Sequence, residues 1–267
     1  MVNFYKNWDD LSIKYDRYVT QSKNVLLRSF IKREKRYLLS LIDENLQKKD
    51  VIVVEIGSGT GRLLFEIAED ESKKESPYRV RYLIGVDVSP MMTKMAKKKH
   101  QDFIGDKELS ESWENKIKFC CENAILLNES IKQKKLNFNN ATIIVVCVLN
   151  TLGIIDPNER SQVVQQMIKL VGTDGKLFIS VFNAESFKKN AFVIYKPMTD
   201  MIGPIDERQI FDENSPDVKS QSGYYSHWFN ETEIINLITD SLKKTNTTGK
   251  QLTHVNVSDI GIIVQIL

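Results

Sequence analysis

The chain has 267 residues, 42% of them hydrophobic and 27% charged, with Lys+Arg 37 against Asp+Glu 35 for a net charge of +2. These are globular values, sufficient for a sizeable core, and the near-balance of charge gives no support to a surface built for nucleic acid or anionic membrane. No apolar run reaches about 18 residues and no apolar signal core opens the chain, so a soluble, unexported protein is expected.

No Pro/Gly/Ser-rich linker divides the sequence, and a single domain is expected. Cys120, Cys121 and Cys147 lie in strand-like apolar runs without C-x-x-C spacing. That argues against disulfides and a structural zinc site, points to a reducing cytoplasm, and leaves no metal set to expect.

From Phe4 to Tyr18, the residues Phe4, Trp8, Leu11, Tyr15 and Tyr18 recur at helical spacing and make one aromatic face. Trp8 and Leu11 read as core. Asn24 to Leu46 reads as a long amphipathic helix, with Leu26, Phe30, Tyr37, Leu38 and Leu41 inward and Lys32, Arg33, Lys35 and Arg36 on a solvated face. Val51 to Ile56 is a strand buried on both faces, and Gly57-Ser58-Gly59-Thr60-Gly61 then lets the backbone turn sharply before a helix from Leu63. Val80 to Val86 is the second strand and ends in Asp87. Asp87 stands about 20 to 30 residues beyond the glycine turn, where doubly wound folds place an acid to accept two ribose hydroxyls.

Ser89 and Pro90 start a helix whose far end carries Lys94, Lys97, Lys98, Lys99 and His100, cations that favour its dipole. Asp102 to Lys116 reads as a mixed-charge loop with a lone Trp113. Ile117 to Ala124 contains the third strand, and Thr142 to Val148 a central parallel strand followed by Asn150, at the strand end that faces reactants in such sheets. Asp156 to Glu159 caps a helix with Val163, Val164, Met167, Ile168 and Leu170 inward, and Leu177 to Phe182 is a fifth strand.

Between Asn183 and Phe229 the core pattern is suspended, and a stretch this long between a strand and a helix is usually functional. It is aromatic, with Phe187, Phe192, Tyr195, Phe211, Tyr224, Tyr225, Trp228 and Phe229. An aromatic cavity of this kind suits a cationic amine or a planar ring. Tyr195, Tyr224 and Trp228 are therefore candidate substrate contacts with Asn150, and His227 and Tyr225 candidate catalytic residues. Asp206, Glu207 and Arg208 are suited to substrate charges or to one another. Asn230 to Glu233 caps a last helix, and Val255 to Val257 and Ile260 to Leu267 read as two terminal strands.

Glu55, two residues before Gly57-x-Gly59-x-Gly61, resembles the first motif of the class I S-adenosylmethionine-dependent methyltransferases. A plain dinucleotide fingerprint would need glycine where Arg62 stands, and no Tyr-x-x-x-Lys pair occurs, so a nicotinamide-dependent reductase is disfavoured. Asp87-Val88-Ser89-Pro-Met-Met92 resembles the D-x-S-x-x-M segment of the same class. Asn123-Ala124 resembles its G-D-A segment with an amide in place of the acid, and Trp8-Asp9 with Tyr15-Asp16 resembles the W-D-x-x-A-x-x-Y-D opening of small-molecule members, with Ser12 in place of alanine.

The resemblance implies an α/β, Rossmann-like three-layer α/β/α sandwich on a seven-stranded, mostly parallel sheet whose last strand is antiparallel. It implies S-adenosylmethionine held by Tyr15, Glu55, Gly57, Ser58, Gly59, Gly61, Asp87, Val88, Met92, Asn123, Ala124 and Val148. It also divides the chain into a helical lid (1–48), a cofactor core (51–182), a substrate-cover insertion (183–229) and a C-terminal helix with strands (230–267). The expected activity is in-line methyl transfer to N or O of a small molecule, because Asn150-Thr-Leu-Gly153 stands where amide-methylating members carry [D/N]-P-P-[Y/F]. The alternatives are a protein or RNA methyltransferase, for which only the lysine-rich stretches speak, and a non-catalytic cofactor-binding sensor or scaffold.

Overall fold

A computed structural model describes residues 6–46, 49–74, 79–105, 113–211, 215–247, 250, 252–258 and 260–266; the aromatic position Phe4 lies outside them. Seven strands form one sheet: β1 (Asp50–Ile56), β2 (Val80–Asp87), β3 (Ile117–Cys121), β4 (Ala141–Cys147), β5 (Lys176–Phe182), β8 (Leu252–Ser258) and β9 (Gly261–Ile266). Their order is β3-β2-β1-β4-β5-β9-β8. Every pair from β3 to β5 is parallel, and β9 runs antiparallel to both its neighbours. This is the expected sheet with its reversed final strand.

The strands alternate their side chains between two cores, as the two-residue period of a strand requires. Ile52, Val54 and Ile56 face the layer containing α5 (Leu127–Gln133), α7 (Arg160–Val171) and α11 (Glu231–Lys244). Val51, Val53, Ile144 and Val146 face α2 (Val25–Leu46), α3 (Arg62–Ser72) and α4 (Pro90–Gly105). Strand order reverses where β4 returns beside β1, and in open α/β sheets ligands bind outside the carboxyl ends of the strands at that point.

A third apolar cluster covers this edge. It joins α1 (Lys6–Tyr15), a following π-helical turn (Asp16–Thr20) and the start of α2 to the 183–229 segment. That segment contains α8 (Phe187–Tyr195), α9 (Thr199–Ile202), α10 (Glu207–Phe211) and a hairpin of β6 (Asp217–Lys219) with β7 (Tyr225–His227). The remaining short helix, α6 (Thr151–Ile154), follows β4.

Three local readings are corrected. The inward face of α2 carries Leu27 and the acid Glu34, while Leu26 and Tyr37 are only half-buried. Trp113 is fully buried and its Nε1 donates to Ser72 Oγ at 2.8 Å, which ties the segment before β3 to α3. Lys99 is not simply an exposed helix end but pairs with Asp16 of the π-helical turn. Among the described residues, no helix is long and apolar enough to cross a membrane.

Candidate active site

The glycine turn leaves β1 with Gly57, Gly59 and Gly61 at φ of +66°, +53° and +86°, the region that disfavours any side chain. A Cβ on Gly57 would lie 2.4 Å from Thr151 Cγ2, so the turn and α6 share that space. Gly59 faces the Tyr15 ring, whose Cε1 would stand 3.5 Å from a Cβ there. Gly57 and Ser58 donate their N–H groups to Val86 O at 2.8 and 3.1 Å, locking the turn against β2.

At the foot of the turn Glu55 is buried and its Oε2 has no hydrogen-bond partner. Burial pushes its carboxyl well above the usual range, partly opposed by the buried Arg62 guanidinium. Arg62 opens α3 and pairs with Glu66 Oε1 at 3.4 Å. An unpartnered acceptor beneath a helix amino terminus provides opposite ends for a zwitterion: an acid for an ammonium, and N–H groups for a carboxylate.

Asp87 ends β2 on the cavity side. Its Oδ2 accepts from Gly59 N at 2.8 Å and its Oδ1 from Ser89 N at 2.9 Å, so each oxygen keeps a further lone pair. Burial raises its carboxyl to about 6 against the pull of those two N–H groups. Val88, Met92, Asn123 and Ala124 continue the wall. Asn123 Oδ1 accepts from Ile125 N at 3.0 Å and caps the short turn there.

The cavity spans about 1170 Å³ including its mouth and crosses from the β2–β3 side to the β4–β5 side. The strap of α1 and the π-helical turn closes it through Trp8 and Tyr15, with Trp8 edge-on to Tyr15 at 6.4 Å and to Tyr224 of the insertion at 6.1 Å. Two aspartates latch this strap. Asp9 Oδ1 accepts from Ser89 Oγ at 2.5 Å and Met91 N at 3.0 Å, capping α4. Asp16 Oδ1 accepts from Thr60 Oγ1 at 2.7 Å, while its other oxygen pairs with Lys99. These are the aspartates of the Trp-Asp and Tyr-Asp pairs.

Over β4 and β5 the lining is Leu149, Phe182, Ile194, Met198 and Met201, with one polar cluster. Tyr195 Oη and Ser226 Oγ share a hydrogen bond of 2.7 Å, Trp228 Nε1 donates to Tyr195 Oη at 3.1 Å, and Asn150 Nδ2 donates to Ser226 Oγ at 3.0 Å. Burial pushes the Tyr195 hydroxyl up to about 12 and that of Tyr224 well above its ordinary range.

Of the sequence candidates, Tyr15, Gly57, Gly59, Asp87, Val88, Met92, Asn123, Ala124, Asn150, Tyr195 and Tyr224 line this one cavity. Ser58, Gly61 and Val148 do not line it and stand behind its wall, as does Glu55. Val148 belongs to the core facing α2. Asn150 reaches the cavity, but both ends of its amide are spent: Oδ1 accepts from Phe182 N at 2.9 Å, and Nδ2 also donates to His227 O at 3.0 Å.

His227, Tyr225 and Trp228 are corrections, because none of them lines the cavity. His227 stands between two carboxylates, Asp217 Oδ1 at 2.7 Å from Nδ1 and Glu233 Oε1 at 2.9 Å from Nε2. Burial works against its charge, but the two acids outweigh it and hold the imidazole above its ordinary pKa. A ring with both nitrogens engaged has no lone pair for a substrate proton. Tyr225 Oη donates to the same Asp217 oxygen at 2.9 Å, and Trp228 is fully buried under the hydroxyl cluster. Arg208 chelates Asp206 with Nη2 at 2.8 Å, so these two partner each other.

The sequence reading missed Glu122 and Glu159, which line the cavity, and Ser226, whose neighbours Tyr224, Tyr225 and His227 it did single out. Glu122 adjoins Asn123, so the position next to the G-D-A match was the available signal.

Gly57 and Gly59 suit the amino acid end of S-adenosylmethionine, with the unpartnered Glu55 oxygen buried behind the turn, Asp87 suits a pair of ribose hydroxyls, and Val88, Met92 and Ala124 a flat apolar ring. The residues present therefore fit the cofactor that the resemblance implies. A family model described as a methyltransferase domain matches residues 47–247. No curated protein matches the chain. Among solved structures, the CcbJ methyltransferase from Streptomyces caelestis superposes with a TM-score of 0.58 at 14% identity, over 99% of this chain and 98% of that one. The methyltransferase domain of bacterial CtHen1 gives 0.57 at 10% identity over 89% and 98%, and an S-adenosylmethionine-dependent methyltransferase from Clostridium acetobutylicum gives 0.55 at 12% over 97% and 98%. The chain belongs to the methyltransferase-domain family and is a class I, Rossmann-like methyltransferase that uses S-adenosylmethionine.

Proposed function

We propose that the acceptor is a small molecule, methylated on nitrogen or oxygen. The observation that carries this reading is the contact between Trp8 of the strap and Tyr224 of the insertion, which roofs the acceptor half of the cavity. A roofed, aromatic chamber suits a compact guest and leaves no open track for a polymer. The lysine-rich stretch that spoke for RNA is partly spent on the fold, because Lys99 serves the Asp16 latch.

In this reading residues 1–48 act as the lid and residues 183–229 as the acceptor cover. Gly57, Gly59 and Asp87 hold the cofactor, with Val88, Met92, Asn123 and Ala124 around its base and the Glu55 carboxyl behind the glycine turn. When bound, S-adenosylmethionine supplies an electrophilic methyl group on a sulfonium. The chain's own part is alignment and exclusion of water: Leu149, Phe182 and Tyr195 fix the acceptor in line, and Trp8 and Tyr15 shut out solvent. His227 and Tyr225 brace the insertion through Asp217.

The test is methyl transfer from labelled S-adenosylmethionine to amines, N-heterocycles and hydroxylated aromatics, with total RNA and an unfolded protein mixture in parallel. Transfer to small molecules alone supports the proposal. Transfer to RNA or protein at a comparable rate refutes it, and binding of S-adenosylhomocysteine without transfer to any acceptor favours a non-catalytic sensor.

A further inference from the structure

The acceptor half of the cavity has an unusual charge inventory. Among the described residues no lining side chain is Lys, Arg or His, and the only charged ones are Asp87, Glu122 and Glu159. Asp87 ends β2 and Glu122 follows β3, both in the cofactor half, while Glu159 precedes α7, which packs on α5 and the turn Ala124–Leu126 as well as on β4 and β5, and so stands between the two halves. Over β4 and β5 the polar atoms are those of the Tyr195–Ser226 cluster with Tyr224, together with the fully engaged Asn150 amide.

Two consequences follow. A carboxylate or phosphate on the acceptor would be desolvated with no cation to meet it, which excludes anionic guests. Nor does a side chain on this side remove a proton near neutral pH: Tyr195 and Tyr224 are held neutral by burial, and His227 is spent outside the cavity. A nucleophile that must first be deprotonated, such as an alcohol, meets no base among the side chains over β4 and β5.

Building on the small-molecule reading, we infer that the acceptor is an uncharged, largely apolar molecule with a neutral nitrogen lone pair, an aryl amine or N-heterocycle, and that the Tyr195–Ser226–Tyr224 hydroxyls are its single polar anchor. The nitrogen lone pair forms the new N–CH3 bond as the S–CH3 bond breaks and its electron pair leaves with sulfur. The product nitrogen becomes cationic, and any N–H proton is lost to solvent on release. The Trp8, Tyr15 and Tyr224 rings face the chamber where that charge develops, and aromatic faces favour a cation. Tyr224 is a positioning residue.

The experiment compares quinoline, 2-naphthol and quinoline-4-carboxylate as acceptors, with labelled S-adenosylmethionine and the full chain, and records calorimetric binding of S-adenosylhomocysteine on the same sample. Quinoline should be methylated on nitrogen, with kcat/KM at least about tenfold above that of the carboxylate, because burial of an unpaired anion is costly. The rate should follow quinoline's own protonation. Tyr224→Phe should raise KM several-fold with S-adenosylhomocysteine affinity unchanged. Preferred transfer to 2-naphthol or the carboxylate overturns the inference, as does no transfer to any of the three while S-adenosylhomocysteine binds. Transfer to RNA in place of these acceptors, or loss of S-adenosylhomocysteine binding, overturns the underlying reading as well.

Discussion

Replacing Asp16 by alanine tests whether the amino-terminal strap holds the cofactor. Its Oδ1 accepts from Thr60 Oγ1 at 2.7 Å and Thr20 Oγ1 at 3.0 Å, and Lys99 completes the latch by donating to Thr60 Oγ1 at 3.0 Å. Thr60 is fully buried within the glycine turn, so its hydroxyl proton loses its acceptor in the variant, a loss of about 1–3 kcal/mol. Lys99 is about one-third exposed and turns to water, so the ion pair adds little. A net loss of about 1–2 kcal/mol on strap closure corresponds to a rise of about 5- to 30-fold in the dissociation constant of S-adenosylhomocysteine. Calorimetric titration reads that value, and hydrogen exchange over residues 8–20 reports the opening. Asp16→Asn keeps an acceptor for Thr60 and should stay within about threefold, on the same hydrogen-bond reasoning. Unchanged affinity and exchange in Asp16→Ala would refute the latch. A fall in Tm with no change in affinity would show that the contact serves only the fold.

Gly57→Ala should lower Tm and abolish S-adenosylhomocysteine binding, because the new Cβ meets Thr151 Cγ2 at 2.4 Å in a backbone with φ +66°; a stable variant that still binds would contradict the geometry. Asp87→Ala should weaken S-adenosylhomocysteine by about 10- to 100-fold, as expected for losing hydrogen bonds to a charged group, while His227→Ala leaves that affinity nearly intact and lowers stability. Equal loss in both would place His227 at the cofactor. Glu34 is buried, with Oε1 accepting from Leu149 N at 2.8 Å and from Ser180 Oγ, and burial raises its carboxyl to about 7. The folded state thus holds a proton that the unfolded state gives up near 4.5, so stability falls as pH rises from about 4.5 through about 7. Glu34→Gln should flatten that slope in denaturant titrations at pH 5 and pH 8; an unchanged slope would assign it to other groups.

The glycine turn, the strand before it and the acid that ends β2 were legible because backbone chemistry dictates them. A run of β-branched residues, three glycines at positive φ and an acid at the end of the second strand are local features, readable without knowing what they touch. The lining contributed by the 183–229 segment was not, because its contacts join residues far apart in sequence. His227 looked like the one histidine in an aromatic pocket, yet Asp217 and Glu233 claim it from the facing strand and the next helix. Asn150 looked like a substrate amide, yet Leu149 and Asn150 adopt φ of +54° and +59° and turn that amide into the brace between β5 and β7. The aspartates of the strap were visible in the Trp-Asp and Tyr-Asp pairs, but their partners Ser89, Thr60 and Lys99 lie far along the chain.

On the proposed lid reading, the strap also sets the order of events in turnover. Tyr15 lies over Gly59 in the cofactor half, while Trp8 meets Tyr224 in the acceptor half, on the same ten-residue helix. One opening therefore exposes both compartments, and neither product leaves while the other stays sealed. Release of the methylated product and of S-adenosylhomocysteine becomes a single gated step. In pre-steady-state experiments this predicts a burst of methylated product followed by slow turnover at the rate of strap opening, with variants of Asp9 and Asp16 raising the slow phase while leaving the burst rate alone.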